Sequence, residues 1–351
     1  MKEPAARSTG RKGRAYRGGF GVAAVCGVLA MGIAACSSSG SGTTATSGSL
    51  SSQTVTVMVN TPNNLAYMAF EAAKQLGTFP ASGPKVNVLV GSDPTAVQAL
   101  AANSVDIAIV SGAEASTALG KGISAKMIAA NSYKQIQSMI VSKSYAAKYG
   151  AQFQDLGHAN FGISGTTGVG ALIDSTIASH YGFTAGSSGY SSVVLTAGEP
   201  ALVAAFKSGT INAFAWDPAV LLPLQDAGFG TVIGPVAPYL TDAVGGAVLA
   251  SSKALSSEPA AIKSVLTSYF AEVRKLMADP TLAENVMTKD WGDSATGAKA
   301  DLGVLNSSYY SPDGSATSTQ LQNMINQAKF SNPSLPSIDL KSIYQPWTSL
   351  G

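Results

Sequence analysis

Hydrophobic positions along this chain alternate between two spacings. Val55 to Val59 is a short β-rich run that stops at Asn60-Thr61-Pro62, and Leu65, Met68, Ala69, Ala72, Ala73 and Leu76 follow at helical intervals. That pattern predicts a strand, a turn and an amphipathic helix. Val86 to Val90 forms the next strand and Gly91-Ser92 a turn, with Asp93 as N-cap and Pro94 at the first position of a helix running through Leu100. Further strands are predicted at Val105 to Val110, stopped by Ser111-Gly112, at Ala125 to Ala129 and at Ser138 to Val141.

The middle of the chain repeats the same order. Phe161 to Ser164 is a strand, Gly165-Thr166-Thr167-Gly168 a turn, and Val169, Leu172, Ile173 and Ile177 one face of a helix. Ser192 to Leu195 is a strand, followed by Gly198-Glu199-Pro200 and a helix through Phe206. The strand Asn212 to Ala215 then leads through Trp216-Asp217-Pro218 into another helix. Strands alternating with helices through tight turns predict an α/β architecture with mostly parallel sheets. From Gly246 to Ala250 a return strand is expected, then a long amphipathic helix through Ile262, Val265, Leu266, Tyr269, Phe270, Val273 and Met277, capped by Ser256 or Ser257. The C-terminal third is mainly helical, with Pro333, Pro336 and Pro346 keeping the last segment extended against the body.

The N-terminus changes the picture of where this body works. Lys2, Arg7, Arg11, Lys12, Arg14 and Arg17 precede an apolar run from Phe20 to Ala35, the layout of an export signal over residues 1–35. The run is interrupted by Gly21, Gly27 and Gly32 and falls short of the roughly 20 apolar residues of a bilayer span. Ile33-Ala34-Ala35-Cys36 resembles a bacterial lipobox, in which the cysteine is acylated. Residues 36–52 are almost entirely Ser, Gly, Thr and Ala, a composition too polar to fold and suited to a flexible tether.

Six of the 22 basic and one of the 20 acidic residues precede Cys36, so the net charge falls from +2 for the whole chain to about −3 for the mature one. Only Arg274 remains of the arginines, without a basic cluster, which argues against nucleic acid as a partner. No cysteine follows Cys36, so an internal disulfide, a thiolate metal site and a Cys nucleophile are excluded from the mature chain.

In open α/β sheets ligands bind beyond the carboxyl ends of the strands. Those ends here are Asn60 to Asn64, Gly91-Ser92, Ser111-Gly112, Ser164 to Gly168, Gly198-Glu199 and Trp216-Asp217, turns rich in small polar residues. Such turns can hold an oxyanion through peptide N–H groups and helix dipoles alone. Ser164 to Gly168 is the leading candidate, although a capped helix start explains it equally well. Trp216 and Asp217 offer a stacking wall and an acceptor for an amine, or simply a core aromatic beside an N-cap. Glu199 can cap its own helix.

Patterns for catalysis do not emerge. His158 and His180 lack a neighbouring nucleophile pattern and are expected at the surface. Gly162 to Thr166 misses the nucleophile elbow because Thr stands where Gly is needed, and Gly165 to Gly170 lacks the phosphate-loop lysine. No metal-ligand spacing occurs, and neither an enzyme nor a cofactor is expected.

The order of parts is similar to one known group. Gly91-Ser92-Asp93-Pro94 leading into Ala99-Leu100-Ala101-Ala102-Asn103-Ser104-Val105-Asp106-Ile107-Ala108 resembles a segment of the solute-binding proteins of the nitrate, sulfonate, taurine and thiamine-pyrimidine ABC importers. Asn103 stands near a position usually held by Gly. Ser164 to Leu172 and Ala204 to Ala213, closed by Trp216-Asp217-Pro218, resemble second-lobe segments of the same group, so the likeness runs from Val55 to Tyr344.

The resemblance implies a two-lobed type II periplasmic-binding-protein fold with a ligand cleft between the lobes. Lobe 1 would comprise residues 53–139 and 243–351, and lobe 2 residues 140–242. A ligand shell carried over from it draws on Asn60, Asn63, Asn64, Ser92, Ser111, Ser164, Thr166, Thr167, Gly198, Trp216 and Asp217. It further implies a monomer, lipid-anchored through Cys36 at the outer face of the cytoplasmic membrane, that hands a small molecule to a permease and ATPase complex. These turns hold no Lys, Arg or His, which favours a sulfonate bound by backbone dipoles or, as the alternative, a neutral or amine-bearing heterocycle stacked on Trp216. A ligand-sensing lipoprotein, and least of all an enzyme on the same fold, are the readings of another class.

Overall fold

The computed structural model describes residues 49–60, 65, 68–186 and 189–351. The predicted signal, Cys36 and nearly all of the tether therefore lie outside the described residues, as do Asn63 and Asn64. At the tether's end Leu50–Ser52 forms a 3-10 turn, with Leu50 packed against the core.

The chain then builds β1 (Thr54–Val59), α1 (Met68–Gln75), β2 (Lys85–Val90), α2 (Asp93–Ala101), β3 (Ile107–Ser111), α3 (Gly112–Gly120) and β4 (Ala125–Ser132). It continues through β5 (Ser138–Ser142), α4 (Lys143–Tyr149), β6 (Asn160–Ile163), α5 (Val169–Tyr181), β7 (Ser191–Val194), α6 (Glu199–Ser208), β8 (Ala213–Trp216), α7 (Pro218–Asp226) and β9 (Gly230–Pro235). After β10 (Gly246–Ser251) it is helical: α8 (Ser252–Ser257), α9 (Pro259–Ala278), α10 (Pro280–Asn285), α11 (Ala295–Val304), α12 (Ser318–Ser331) and α13 (Leu340–Ile343).

Two five-stranded sheets result, in the orders β2-β1-β3-β10-β4 and β7-β6-β8-β5-β9. In each, one strand runs against its neighbours: β10 pairs antiparallel with β3 and β4, and β5 antiparallel with β8 and β9. Both are the strands on which the chain arrives after crossing from the other sheet. The sheets are thus mixed where the turn pattern alone suggested mostly parallel ones. Each is covered on both faces. Val55, Val57, Ile107, Ile109 and Val248 face one core of the first lobe, while Ala108, Val110, Met127 and Leu249 face the other. Met139, Val141, Phe161 and Ala213 do the same for one side of the second lobe, and Ile140, Phe214 and Trp216 for its opposite side.

Three local expectations differ. The cap of α2 is Ser92, with Asp93 and Pro94 as its first two helical residues. The long helix α9 is preceded by Glu258 and starts at Pro259, whereas Ser256 and Ser257 belong to the short α8. The final segment is not extended throughout, since α13 gives it a helical turn and Tyr344 adds a bridge to Met127.

The crossovers, residues 133–137 and 236–245, lie side by side. Ala243 N–H donates to the Tyr133 carbonyl, Gly245 N–H to Ser132 and Val236 N–H to Gln137, and Lys134 Nζ lies 3.5 Å from Asp242 Oδ1. Gly112 fits against this pair because any Cβ there would collide with the Val244 carbonyl oxygen. The lobes also touch through helices, with α11 on α7, α12 on α5 and α3 on α5.

Candidate functional site

Strand ends and helix starts of both lobes converge on two cavities that share Asn60. The inner one, about 60 Å³, is bounded by Asp93, Ser111, Lys134, Gln137, Tyr310 and Val169, among others. The outer one is larger, about 470 Å³, and lies between the β2–α2 turn and the β7–α6 turn. It is the space between the carboxyl ends of the two edge strands, with Val90, Gly91, Ser92 and Thr95 on one wall and Thr196 to Pro200 on the other.

Of the residues singled out from sequence, Asn60, Ser92, Ser111 and Gly198 line these cavities. Ser164, Thr166 and Thr167 do not. Thr166 is exposed, and Thr167 turns toward Glu114 of α3, whose carboxylate it hydrogen bonds. Trp216 is 8 % exposed and packs with Leu202, Phe206, Ile211 and Leu221 in the core, and its indole hydrogen bonds Glu199. Asp217, 1 % exposed, reaches the inner cavity only through Gln137, whose Nε2 donates to its Oδ1 over 3.2 Å.

Sequence reasoning passed over the side chains that charge the cleft. Asp93 lines the inner cavity and accepts from Asn60 Nδ2 at 2.8 Å and from the Ser111 N–H at 2.9 Å, tying the first two strand ends together. Burial pushes its carboxyl above the usual aspartate range, and the Ser111 and Asn60 donors pull it back. Lys134, from the first crossover, supplies a cation to the same cavity, where the turns alone contain none. Glu114 sits on the third residue of α3, and its own N–H donates to Ser111 Oγ. Its carboxyl is raised by burial and by the Asp93 charge, against the Thr167 hydroxyl.

Helix starts explain the clustering of acids. A carboxylate beside the first turn is stabilised by the unpaired N–H groups and the dipole there. Here α2 begins with Asp93, α3 carries Glu114 and α6 begins with Glu199, while α7 has Asp217 as its N-cap. Of these cleft helices and α5, only α5 has an acid neither in its first turn nor at its N-cap. Glu199 is raised by burial and by the charge of Asp293, against the Trp216 indole. Asp217 is pushed up to about 7 by burial and by Glu199, and Asp293 to about 6 by burial. Behind them Asp301 of α11, fully buried, is pushed up to about 8 by burial and by Asp217. Among the described residues no group of side chains is arranged to hold a metal ion.

No family model matches the chain, and no curated protein matches it in sequence. Solved structures do match in fold. A protein from Bordetella bronchiseptica RB50 is 17% identical with a TM-score of 0.71, the match covering 85% of this chain and 96% of the other. The ligand binding component of an ABC-type import system from Staphylococcus aureus, with zinc bound, is 14% identical with a TM-score of 0.69, over 85% of this chain and 99% of that one. The alkanesulfonate-binding protein SsuA from Xanthomonas axonopodis pv. citri, bound to MOPS, is 14% identical with a TM-score of 0.66, over 84% and 98%. The two-lobed periplasmic-binding-protein fold is thus the one this chain adopts, and proteins of the group that the sequence resembles share it.

Proposed function

We propose that this chain is the extracytoplasmic solute-binding component of an ABC importer. It would be tethered by a lipid at Cys36, capture a small organic solute between its lobes and deliver it to a membrane permease driven by an ATPase. The observation that carries this reading is the cleft itself: two cavities enclosed jointly by the strand ends of both lobes, with paired crossovers on which the lobes can turn. Contacts from both lobes make ligand binding favour the closed state, which a permease can distinguish from the open one.

Two ligand chemistries follow from the sequence, and each has support. A sulfonate is favoured by the MOPS-bound neighbour and by Lys134 at the inner cavity. An amine-bearing heterocycle is favoured by Asp93 at the inner cavity and Glu199 at the outer one. Lys134→Met would weaken a sulfonate, and Asp93→Asn an amine, since both side chains line the inner cavity.

Thermal melts of the purified protein against alkyl and aryl sulfonates, taurine, nitrate and amine-bearing heterocycles test the function. A ligand at about 100 times its dissociation constant stabilises by roughly 2.7 kcal/mol. A saturable rise in Tm with one class supports solute binding, and flat melts with every class count against it.

A further inference from the structure

Among the described residues five helix starts lie at or beside the cleft, and such starts bind anions only while their N–H groups and dipoles are free. Four already carry an acid of their own: Asp93, Glu114, Glu199 and Asp217. The fifth, α5, runs for 13 residues from Gly168 as its N-cap, and neither an acid nor a capping side-chain bond serves its start. That start is nevertheless not empty. Glu114, 6 % exposed, reaches across from α3 of the first lobe, so that a Cβ at Gly168 would lie 3.6 Å from its Oε2. Among the described residues this oxygen has no hydrogen-bond partner, although it is buried. Ser111 Oγ lies 3.5 Å and Asp93 Oδ2 4.0 Å from the same point, so the contact is at the wall of the inner cavity.

We propose that Glu114 is the charge selector of this cleft: its carboxylate lies at the start of α5, the one described helix start at the cleft that an organic anion could otherwise use, so the solute captured is cationic or amine-bearing. The inference rests on the binding-protein reading and narrows its ligand class. A negatively charged headgroup at α5 would meet Glu114 and Asp93 together, and the Asp93 charge already opposes ionisation of Glu114. Lys134 offsets this only in part, being one cation against two carboxylates. A positively charged or amine head instead finds a carboxylate in either cavity, Asp93 in the inner and Glu199 in the outer. Glu114 thereby acts as an internal anion, closing the lobes onto α5 and excluding competitors of its own charge.

The test compares benzenesulfonate, benzamidinium and neutral benzamide by calorimetry on the wild type and on Glu114→Gln. The amide keeps the shape of the side chain and removes its charge. Glu114→Gln is expected to bind benzenesulfonate at least about 10-fold more tightly than wild type, and benzamidinium no more tightly. Equal sulfonate affinity in the two proteins, including no binding by either, overturns the proposal. Should Glu114→Gln not fold, Glu114→Asp, which draws the carboxylate back toward α3, takes its place: tighter sulfonate binding than wild type is again expected, and equal affinity again overturns the proposal. Binding of any probe by the wild type leaves the binding-protein reading standing whatever the sulfonate result, so the two failures are distinguishable.

Discussion

Asp301 Oδ1 accepts the backbone N–H of Ala219 over 3.2 Å, so a carboxylate from α11, in the helical C-terminal third, caps a helix that belongs to the other sheet. The cap residue of α7 itself, Asp217, makes no side-chain capping bond, and Pro218 has no N–H to give. The Ala219 N–H therefore depends on α11 for its partner. Replacing Asp301 by Ala removes that cap and is expected to cost about 1–2 kcal/mol in urea unfolding, as lost helix caps do. Asp301→Asn keeps an acceptor oxygen and is expected to lose much less. Equal losses for the two would show that the contact contributes nothing.

Stability is expected to fall as pH rises from about 4 to 8. Asp293, Asp217 and Asp301 are pushed up to about 6, about 7 and about 8 from an ordinary 3.8. Between those values the folded protein holds protons that the unfolded chain has released, so each added unit of pH favours unfolding. The stabilisation is fullest below the unfolded value and is gone once pH passes the folded one. Melts at pH 5 and pH 8 measure the slope, and Asp301→Asn should flatten its upper part. A Tm that rises over this interval would contradict the burial of these acids.

Gly112→Ala is expected to destabilise the protein by about 1–3 kcal/mol, because the new methyl group meets the Val244 carbonyl of the second crossover. The Gly112 N–H donates to Gly245 in the same crossover, so the strain falls on the segment that lets the lobes move. Ligand affinity and Tm should drop together. A drop in Tm with unchanged affinity would separate the crossover from the closing motion.

Lys134→Met should leave stability within about 0.5 kcal/mol, since its pairing with Asp242 is half in solvent and such pairs contribute little. Its effect belongs in binding. Removing this cation from the inner cavity should strengthen a cationic ligand several-fold and weaken an anionic one. Calorimetry at two salt concentrations would expose the electrostatic origin, because the change should shrink as salt rises.

Glu199→Gln should weaken a cationic ligand and leave the fold intact, because the Trp216 indole can donate to the amide oxygen as it does to the carboxylate. Trp216→Phe removes that donor from an 8 % exposed position in the core and should cost both stability and affinity. A Glu199→Gln protein with unchanged affinity for its cation would place the headgroup elsewhere.

Much of this was legible in the sequence because local spacing determines local structure. The strand runs at Val55 to Val59, Val86 to Val90 and Phe161 to Ile163 alternate or cluster as a sheet interior requires, and Pro and Gly mark the turns between them. Those turns, being strand ends, gave Asn60, Ser92, Ser111 and Gly198 as cavity residues. What escaped has a physical reason too. Helix α3 is buried along nearly its whole length, so it has no polar face to betray its period, and Glu114 stayed hidden inside an Ala- and Ser-rich run. Trp216 beside Asp217 looked like a ligand wall because adjacency in sequence cannot tell which face of β8 meets the core.

The sequence by itself determined the alternation of strands and helices and the positions of the turns, since each depends on residues within a few steps of one another. It also determined that no thiol follows Cys36. Only the tertiary structure decided the sign of the cleft. Asp93, Glu114, Glu199 and Asp217 are scattered along the chain as ordinary helix-start acids, and it is tertiary packing that sets Asp93 near Glu114 and Glu199 near Asp217. Their place at helix starts is fixed by neighbours in sequence, but the repulsion within each pair depends on distance in space and on exclusion of water, which no stretch of sequence records.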